Sequence, residues 1–169
     1  KTSQLTDMIS GTNAKLLDTR KTTPNMRMLE KWAVLIGGGV NHRYGLFDMI
    51  MLKDNHNDFA GGITASVNAT KTYLQETNRN LKIEVETRNI DEVREALEVG
   101  GVDRIMLDNM SNEAMASAVA LVNGRSETEA SGGITEDTIR SVAQTGVDYI
   151  SVGALTHSIK SLDISLKAE

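Results

Sequence analysis

The sequence predicts an α/β fold: an open, incomplete TIM-like β/α barrel with about six parallel strands. Three observations carry this. Short strand candidates alternate with amphipathic helices along most of the chain, the pattern of a parallel sheet built from β/α units. The strands are rich in Ile, Val, Leu and Met, as expected where helices cover one face and packed side chains the other. Finally, GGGVNHR precedes a strand instead of following one and is not GxGxxG, so the doubly wound dinucleotide-binding sheet is the weaker alternative.

The elements follow in order. Residues 1–13 read as the last helix and turn before a strand, so a further domain is expected ahead of Lys1. AKLLD (14–18) starts the strand series. DMIML (48–52), KIEVE (82–86), RIMLD (104–108), TEAS (128–131) and YISVG (149–153) continue it. Residues 57–77 form the longest helix candidate. In IDEVREALEVGG, Ile90, Val93 and Leu97 share a helical face, and Gly100–Gly101 stops it. SNEAMASAVALVNG (111–124) opens on Ser111 as N-cap and ends at Gly124. Ile139, Val142 and Ala143 mark another helix, opened by Thr135 and closed by Gly146. GALTHS reads as the start of a last helix.

Composition sets bounds. A chain of 169 residues is long enough for one domain with a full core. It has no cysteine, which excludes disulfides, thiolate zinc sites and a cysteine nucleophile. No apolar run approaches ~18 residues, and no charged-then-apolar leader opens the chain, so a cytoplasmic setting is expected. The net charge is −5, unevenly spread: residues 1–56 hold eight Lys/Arg against five Asp/Glu, the remainder ten against eighteen. An acidic chain with few aromatics argues against nucleic-acid binding, and a basic segment within it suits a small anion.

Barrel enzymes place their chemistry where strands run out into loops, and here every strand end is polar or glycine-rich. The first gives Thr19, Arg20 and Lys21. His42 and Arg43 follow the glycine run, and Lys53 ends the next strand. Arginine forks suit planar carboxylates and phosphates, so Arg20, Arg43 and Lys53 are expected to share a cavity with His42. Glu84 and Glu86 share one strand face, and Asp108 ends the neighbouring strand. Inward carboxylates are costly unless paired or ligated. Glu86 and Asp108 therefore hold sugar hydroxyls, magnesium or a developing positive charge, or else form internal salt bridges to Lys53 or Lys21. Ser131-Gly132-Gly133 and Gly153-Ala154, at the last two strand ends, are the pattern of a phosphate site. His56 and His157 read as structural by default, His157 with the alternative of a cap or a place near the phosphate loop; no histidine pair has metal-ligand spacing, and Ser131 lacks a GxSxG elbow.

The strings DTRKTTP, GGGVNHRYGL, MLKDNH, IEVE, IMLDN, EASGGI and TGVDYISVGALTHS, followed by DISL, occur in this order. Together, from about Gly11 to Leu166, they resemble the C-terminal domain of quinolinate phosphoribosyltransferase, also called nicotinate-nucleotide pyrophosphorylase (carboxylating). The resemblance implies an open barrel that transfers phosphoribose from phosphoribosyl pyrophosphate to quinolinate with magnesium. The products it implies are nicotinate mononucleotide, pyrophosphate and carbon dioxide, in NAD biosynthesis. By this resemblance Thr19, Arg20, His42 and Arg43 hold the two quinolinate carboxylates. Lys21 and Lys53 meet the pyrophosphoryl and ribose part, and Glu86 and Asp108 bind ribose hydroxyls and magnesium. Ser131, Gly132, Gly133, Gly153 and Ala154 cradle the 5-phosphate. It also implies a homodimer or higher homo-oligomer in which an N-terminal sandwich domain of the neighbour, matched nowhere in this chain, completes each site. Asn25 stands where many members have glycine, Leu35 where a basic residue is frequent, and KDNHN replaces KDNHI. The alternatives are a ModD-like transferase with another acceptor and a non-catalytic phosphate-sugar binding domain.

Overall fold

A computed structural model describes residues 1–160 and 162–168. Six strands form one sheet: β1 (Lys15–Leu17), β2 (Ile50–Leu52), β3 (Ile83–Thr87), β4 (Arg104–Asp108), β5 (Glu127–Ser131) and β6 (Tyr149–Ser151). All pairings are parallel, in the order β1-β6-β5-β4-β3-β2. β1 and β2 stand at the two edges, so the barrel is open between them. Val40 alone bridges to Leu17, which lays the segment leading to His42 and Arg43 along the free edge of β1.

Among the described residues eight helices connect and flank the strands: α1 (Thr2–Met8), α2 (Arg27–Ile36), α3 (Asp54–Ala60), α4 (Ile63–Glu76), α5 (Ile90–Val99), α6 (Asn112–Val122), α7 (Glu136–Ala143) and α8 (Ala154–His157). Alternation along each strand divides its side chains between two faces. Ile83, Val85, Ile105, Leu107, Ala130 and Ile150 join Val67, Val93, Ala96, Ala118, Val122, Ile139 and Val142 of the helices in one buried core. The opposite set, Glu84, Glu86, Arg104, Glu127 and Glu129, lies on the barrel interior. Register places Glu84 beside Arg104 and Arg104 beside Glu127. The interior is therefore charged, and the inward face that the sequence assigns to Glu84 and Glu86 extends to Arg104, Glu127 and Glu129.

One expected helix divides, and one helix goes unpredicted. The candidate over 57–77 is two helices, because Gly61 (φ 88°) and Gly62 (φ 125°) take a left-handed turn between α3 and α4. Helix α2, for which the sequence offers no candidate, carries an apolar stripe that faces outward: Lys31 and Val34 are its buried residues, while Met28, Leu29, Trp32, Leu35 and Ile36 are exposed. Ser111 caps α6 by accepting the Ala114 amide, and Thr135 forms a reciprocal cap with Thr138 on α7. Gly100 ends α5, whereas α7 stops at Ala143, before Gly146. DISL (163–166) lies exposed outside any helix or strand. Among the described residues no helix is long and apolar enough to cross a membrane.

Candidate active site

All six strand ends open into a cavity of about 830 Å³. Thr19, Arg20 and Lys21 reach it from β1, His42 and Arg43 from the edge segment, and Lys53 from β2. Glu86 enters from β3 and Asp108 from β4. Ser131, Gly132 and Gly133 follow β5, and Gly153 and Ala154 follow β6. The structure thus brings every sequence-predicted site residue to one rim. His56 stays outside, where its Nδ1 accepts the Lys53 amide at 3.0 Å as part of the α3 cap.

The cationic wall is held from behind. Asp18 is fully buried at the end of β1, and its Oδ1 accepts the His42 amide at 2.8 Å and the Lys31 ammonium. Lys31 Nζ also donates to the His42 carbonyl at 3.0 Å. Burial pushes the Asp18 carboxyl above its ordinary range, with Lys31 pulling the other way. Arg43 donates to the Met49 carbonyl at 3.1 Å and to Met51 Sδ at 3.5 Å. Burial first, then the charge of Arg20, weakens the Arg43 guanidinium's hold on its proton. The buried Arg20 Nε has no partner among the described residues. The Lys21 carbonyl accepts from Thr156 Oγ1 at 2.8 Å, tying this loop to α8.

Beneath the wall lies a charged floor. His42 Nε2 stands 3.1 Å from Glu84 Oε2 and 3.4 Å from Glu129 Oε2, on the line of neither for a straight hydrogen bond. Arg104 reaches Glu129 at 3.1 Å and Glu127 at 2.9 Å, and stacks 4.0 Å from the centre of the Tyr149 ring. Burial opposes the His42 imidazolium, but the Glu129 and Glu84 carboxylates more than offset it and push its pKa up to about 9. Nδ1 accepts the Arg43 amide at 2.6 Å, which favours the neutral ring. That single bond is worth about 1 kcal/mol, less than two buried carboxylates contribute, so the imidazolium prevails. Burial, then Glu129, raises Glu84; His42 and Arg104 outweigh burial at Glu129 and lower it.

The donor atoms of His42, Glu84 and Glu129 lie within 4.8 Å of one another, close enough for a cation. As the imidazolium, however, His42 carries a proton on Nε2 and offers no lone pair there, so the group holds a proton rather than a metal. His42 thus directs its Nε2 edge at the floor while also lining the cavity.

The carboxylates separate by level. Glu84 has no exposure, whereas Glu86, two residues nearer the strand end on the same face, reaches the cavity and pairs with Lys53 Nζ at 2.7 Å. Asp108 accepts from Asn109 Nδ2 at 2.8 Å through Oδ2. Beside Asn109, Gly132 has φ 95°, and a Cβ there would collide with Asn109 Oδ1. Gly133 is also left-handed, at φ 59°. Among the described residues the amides of Gly132, Gly133 and Gly153 donate to no protein acceptor, the condition in which backbone N–H groups bind an anion. Helix α8 has four residues, so its contribution is local amides more than a summed dipole.

Sequence reasoning leaves out several lining residues. Glu129, Asn109 and Ser151 also face the cavity, and His157, read from the sequence as structural or else near the phosphate loop, lines it beside Gly153. Asn109 could be found from its place beside Asp108, and Glu129 from its alternation with Ser131. The supports Arg27 and Lys31 carry no sequence signal of their own, because their helix shows its apolar residues to solvent.

A parallel open barrel with a cation-rich cavity at the carboxyl ends of its strands defines a β/α-barrel domain whose site faces anions. Comparison specifies it further. Residues 1–167 match the family model for the quinolinate phosphoribosyl transferase C-terminal domain, and the chain belongs to that family. Quinolinate phosphoribosyltransferase [decarboxylating] 1b of Nicotiana tabacum is 53% identical over 170 residues, covering 92% of this chain and 49% of that protein. The chloroplastic nicotinate-nucleotide pyrophosphorylase [carboxylating] of Arabidopsis thaliana is 51% identical, covering 92% and 49%. The solved nicotinate-nucleotide pyrophosphorylase from Francisella tularensis superposes with TM-score 0.90 at 45% identity, over 97% of this chain and 57% of that one. The chain therefore spans about half the length of the curated relatives it matches.

Proposed function

We propose that this domain carries phosphoribosyl transfer from phosphoribosyl pyrophosphate to quinolinate with decarboxylation, giving nicotinate mononucleotide, pyrophosphate and carbon dioxide. The observation that supports it most is the sorting of charge around one cavity: Arg20, His42 and Arg43 lie on one side, Glu86 and Asp108 on another, and unpaired glycine amides on a third.

In this reading Thr19, Arg20, His42 and Arg43 clamp the two carboxylates of quinolinate and present its ring nitrogen to the anomeric carbon. Ser131, Gly132, Gly133, Gly153 and Ala154 hold the 5-phosphate. Glu86 and Asp108 stabilise the oxocarbenium-like sugar and its hydroxyls, while Lys21 and Lys53 meet the leaving pyrophosphate. Attack makes the ring nitrogen positive. The neighbouring carboxylate then leaves as carbon dioxide, its electron pair staying on the ring carbon beside that positive nitrogen until a proton arrives.

Magnesium suits this donor set. Glu86 and Asp108 are hard oxygen donors on adjacent strands, and Asp108 keeps Oδ1 free of protein partners among the described residues. Few protein ligands supplemented by substrate phosphates is the usual magnesium arrangement. Bound there, the ion would neutralise charge on the leaving pyrophosphate. Lys53 would then release Glu86, whose Oε2 it holds at 2.7 Å.

A homo-oligomer in which a neighbour's N-terminal sandwich domain covers this open rim fits the half-length match, and a cytoplasmic or organellar matrix fits a chain without cysteine. The test is release of carbon dioxide from carboxyl-labelled quinolinate by the full-length protein. Release that needs phosphoribosyl pyrophosphate supports the proposal; donor binding with no release from quinolinate defeats it.

A further inference from the structure

Arg20 and Arg43 put two guanidinium groups on one cavity, and their charges act on each other. Like charges in a partly buried site spread apart unless the backbone beneath them is fixed. The fixing comes from α2, whose side chains touch neither the cavity nor its prospective ligands.

Arg27 and Lys31 are four residues apart and so lie on one face of that helix. Arg27 uses three nitrogens: Nε donates to Thr22 Oγ1 at 3.1 Å, NH2 to the Arg20 carbonyl at 3.2 Å, and NH1 to the Tyr44 carbonyl at 3.1 Å. One guanidinium therefore spans the loop that carries Arg20 and the loop that carries Arg43. Lys31, 2% exposed, repeats the connection one turn on, joining Asp18 at the end of β1 to the His42 carbonyl. Between them Glu30 Oε2 accepts the Thr23 amide at 3.0 Å. Asn41, with its amide oriented to suit its neighbours, donates to the Lys31 carbonyl and to Asp18. A merely structural helix would be expected to turn its apolar face inward, yet α2 buries its lysine and exposes its tryptophan.

We infer that Arg27 and Lys31 are positioning residues for acceptor specificity: by joining the two loops they set the spacing of Arg20 and Arg43, and with it the preference for an acceptor bearing two carboxylates over one bearing a single carboxylate. This rests on the reading of Arg20 and Arg43 as the acceptor clamp. The spacing requirement is strict for two carboxylates and absent for one, because a monocarboxylate can follow whichever arginine moves. Loss of the brace therefore weakens dicarboxylate binding selectively.

The test is calorimetry on the full-length protein with quinolinate, pyridine-2-carboxylate, pyridine-3-carboxylate and phosphoribosyl pyrophosphate. Arg27→Met is the first variant. The second is Asp18→Asn with Lys31→Met, which removes the buried charge pair together and keeps an acceptor for the His42 amide. Each should lower the quinolinate-to-monocarboxylate affinity ratio about tenfold, the scale of one to two lost hydrogen bonds, with donor affinity changed less than about twofold. Arg27→Lys should not restore the ratio, since one ammonium cannot reach three acceptors in two loops. An unchanged ratio, or equal losses for all four ligands, overturns the brace. A wild-type protein that binds no quinolinate overturns the functional reading and the brace with it, a distinct result.

Discussion

Raising the pH should dismantle the charged floor from His42 outward. Its imidazole moves from an ordinary 6.5 to about 9 because Glu129 and Glu84 outweigh burial. A folded-state pKa above the unfolded one means the native state binds the extra proton. Its stabilisation is complete below the unfolded value and vanishes as pH rises through the folded value. The window is thus pH 6.5 to about 9. At about 1.4 kcal/mol per tenfold change in proton affinity, the full effect is roughly 3 kcal/mol, of which less than half remains near pH 8. Glu84, raised by burial and by Glu129, adds in the same direction from lower pH, so unfolding midpoints alone mix two groups. Imidazole resonances separate them: the chain has three histidines, and only His42 faces two buried carboxylates. Urea midpoints should fall between pH 6.5 and 9 while the His42 ring titrates near 9. Glu129→Gln should bring that titration down. A His42 ring titrating near 6.5, or one indifferent to Glu129→Gln, would refute the account of the floor.

Other outcomes follow from single contacts. Gly132→Ala places a methyl where Asn109 stands, at a φ of 95°; it should cost about 1–3 kcal/mol of stability, read by thermal melting, and weaken phosphoribosyl pyrophosphate more than quinolinate in calorimetry. Arg43→Ala should do the opposite, since its guanidinium stands on the acceptor side; equal losses for both ligands would remove it from the clamp. Asn57→Ala strips a buried amide that donates to the Glu86 carbonyl and accepts from Ser66, and should lower stability by about 1–3 kcal/mol in urea unfolding. Ser111→Ala removes the α6 cap and should cost about 1 kcal/mol with activity intact.

The order of strands and of the helices between β2 and β6 was legible because most strands are short apolar runs, β5 (ETEAS) being the exception, and most of those helices bear a stripe at helical spacing; α2 went unread. The rim was legible for a different reason: polar residues crowd the strand ends, and a parallel barrel brings all those ends to one side. What escaped were features that depend on partners far along the chain. Nothing local marks Glu84, Arg104 and Glu129 as one cluster. Their association comes from strand register, which sets Glu84 opposite Arg104 and brings Glu129 within reach of it. Lys31 reads as an ordinary surface lysine until Asp18 and the His42 carbonyl close around it.

These two buried ionic groups explain why the cavity can be so positive in an acidic protein. Five cationic side chains, Arg20, Lys21, His42, Arg43 and Lys53, line it, and their repulsion would favour an open loop over an ordered wall. Counter-charges one layer down relieve that repulsion without occupying the rim: Asp18 beneath the backbone of His42, and Glu84 and Glu129 beneath its ring. Apart from Glu86, which pairs with Lys53, and Asp108, a further carboxylate on the cationic wall would compete with an anionic ligand. Sunk in the floor, it orders the wall and leaves most of the wall's guanidinium and ammonium groups for the ligand. On this argument, replacing Glu129 with leucine should loosen the loop that carries His42 and Arg43, visible as faster amide exchange over residues 40–44, before it disturbs the glycine turns on the opposite side. Exchange that quickens equally in both places would show that the floor holds the barrel together rather than the wall.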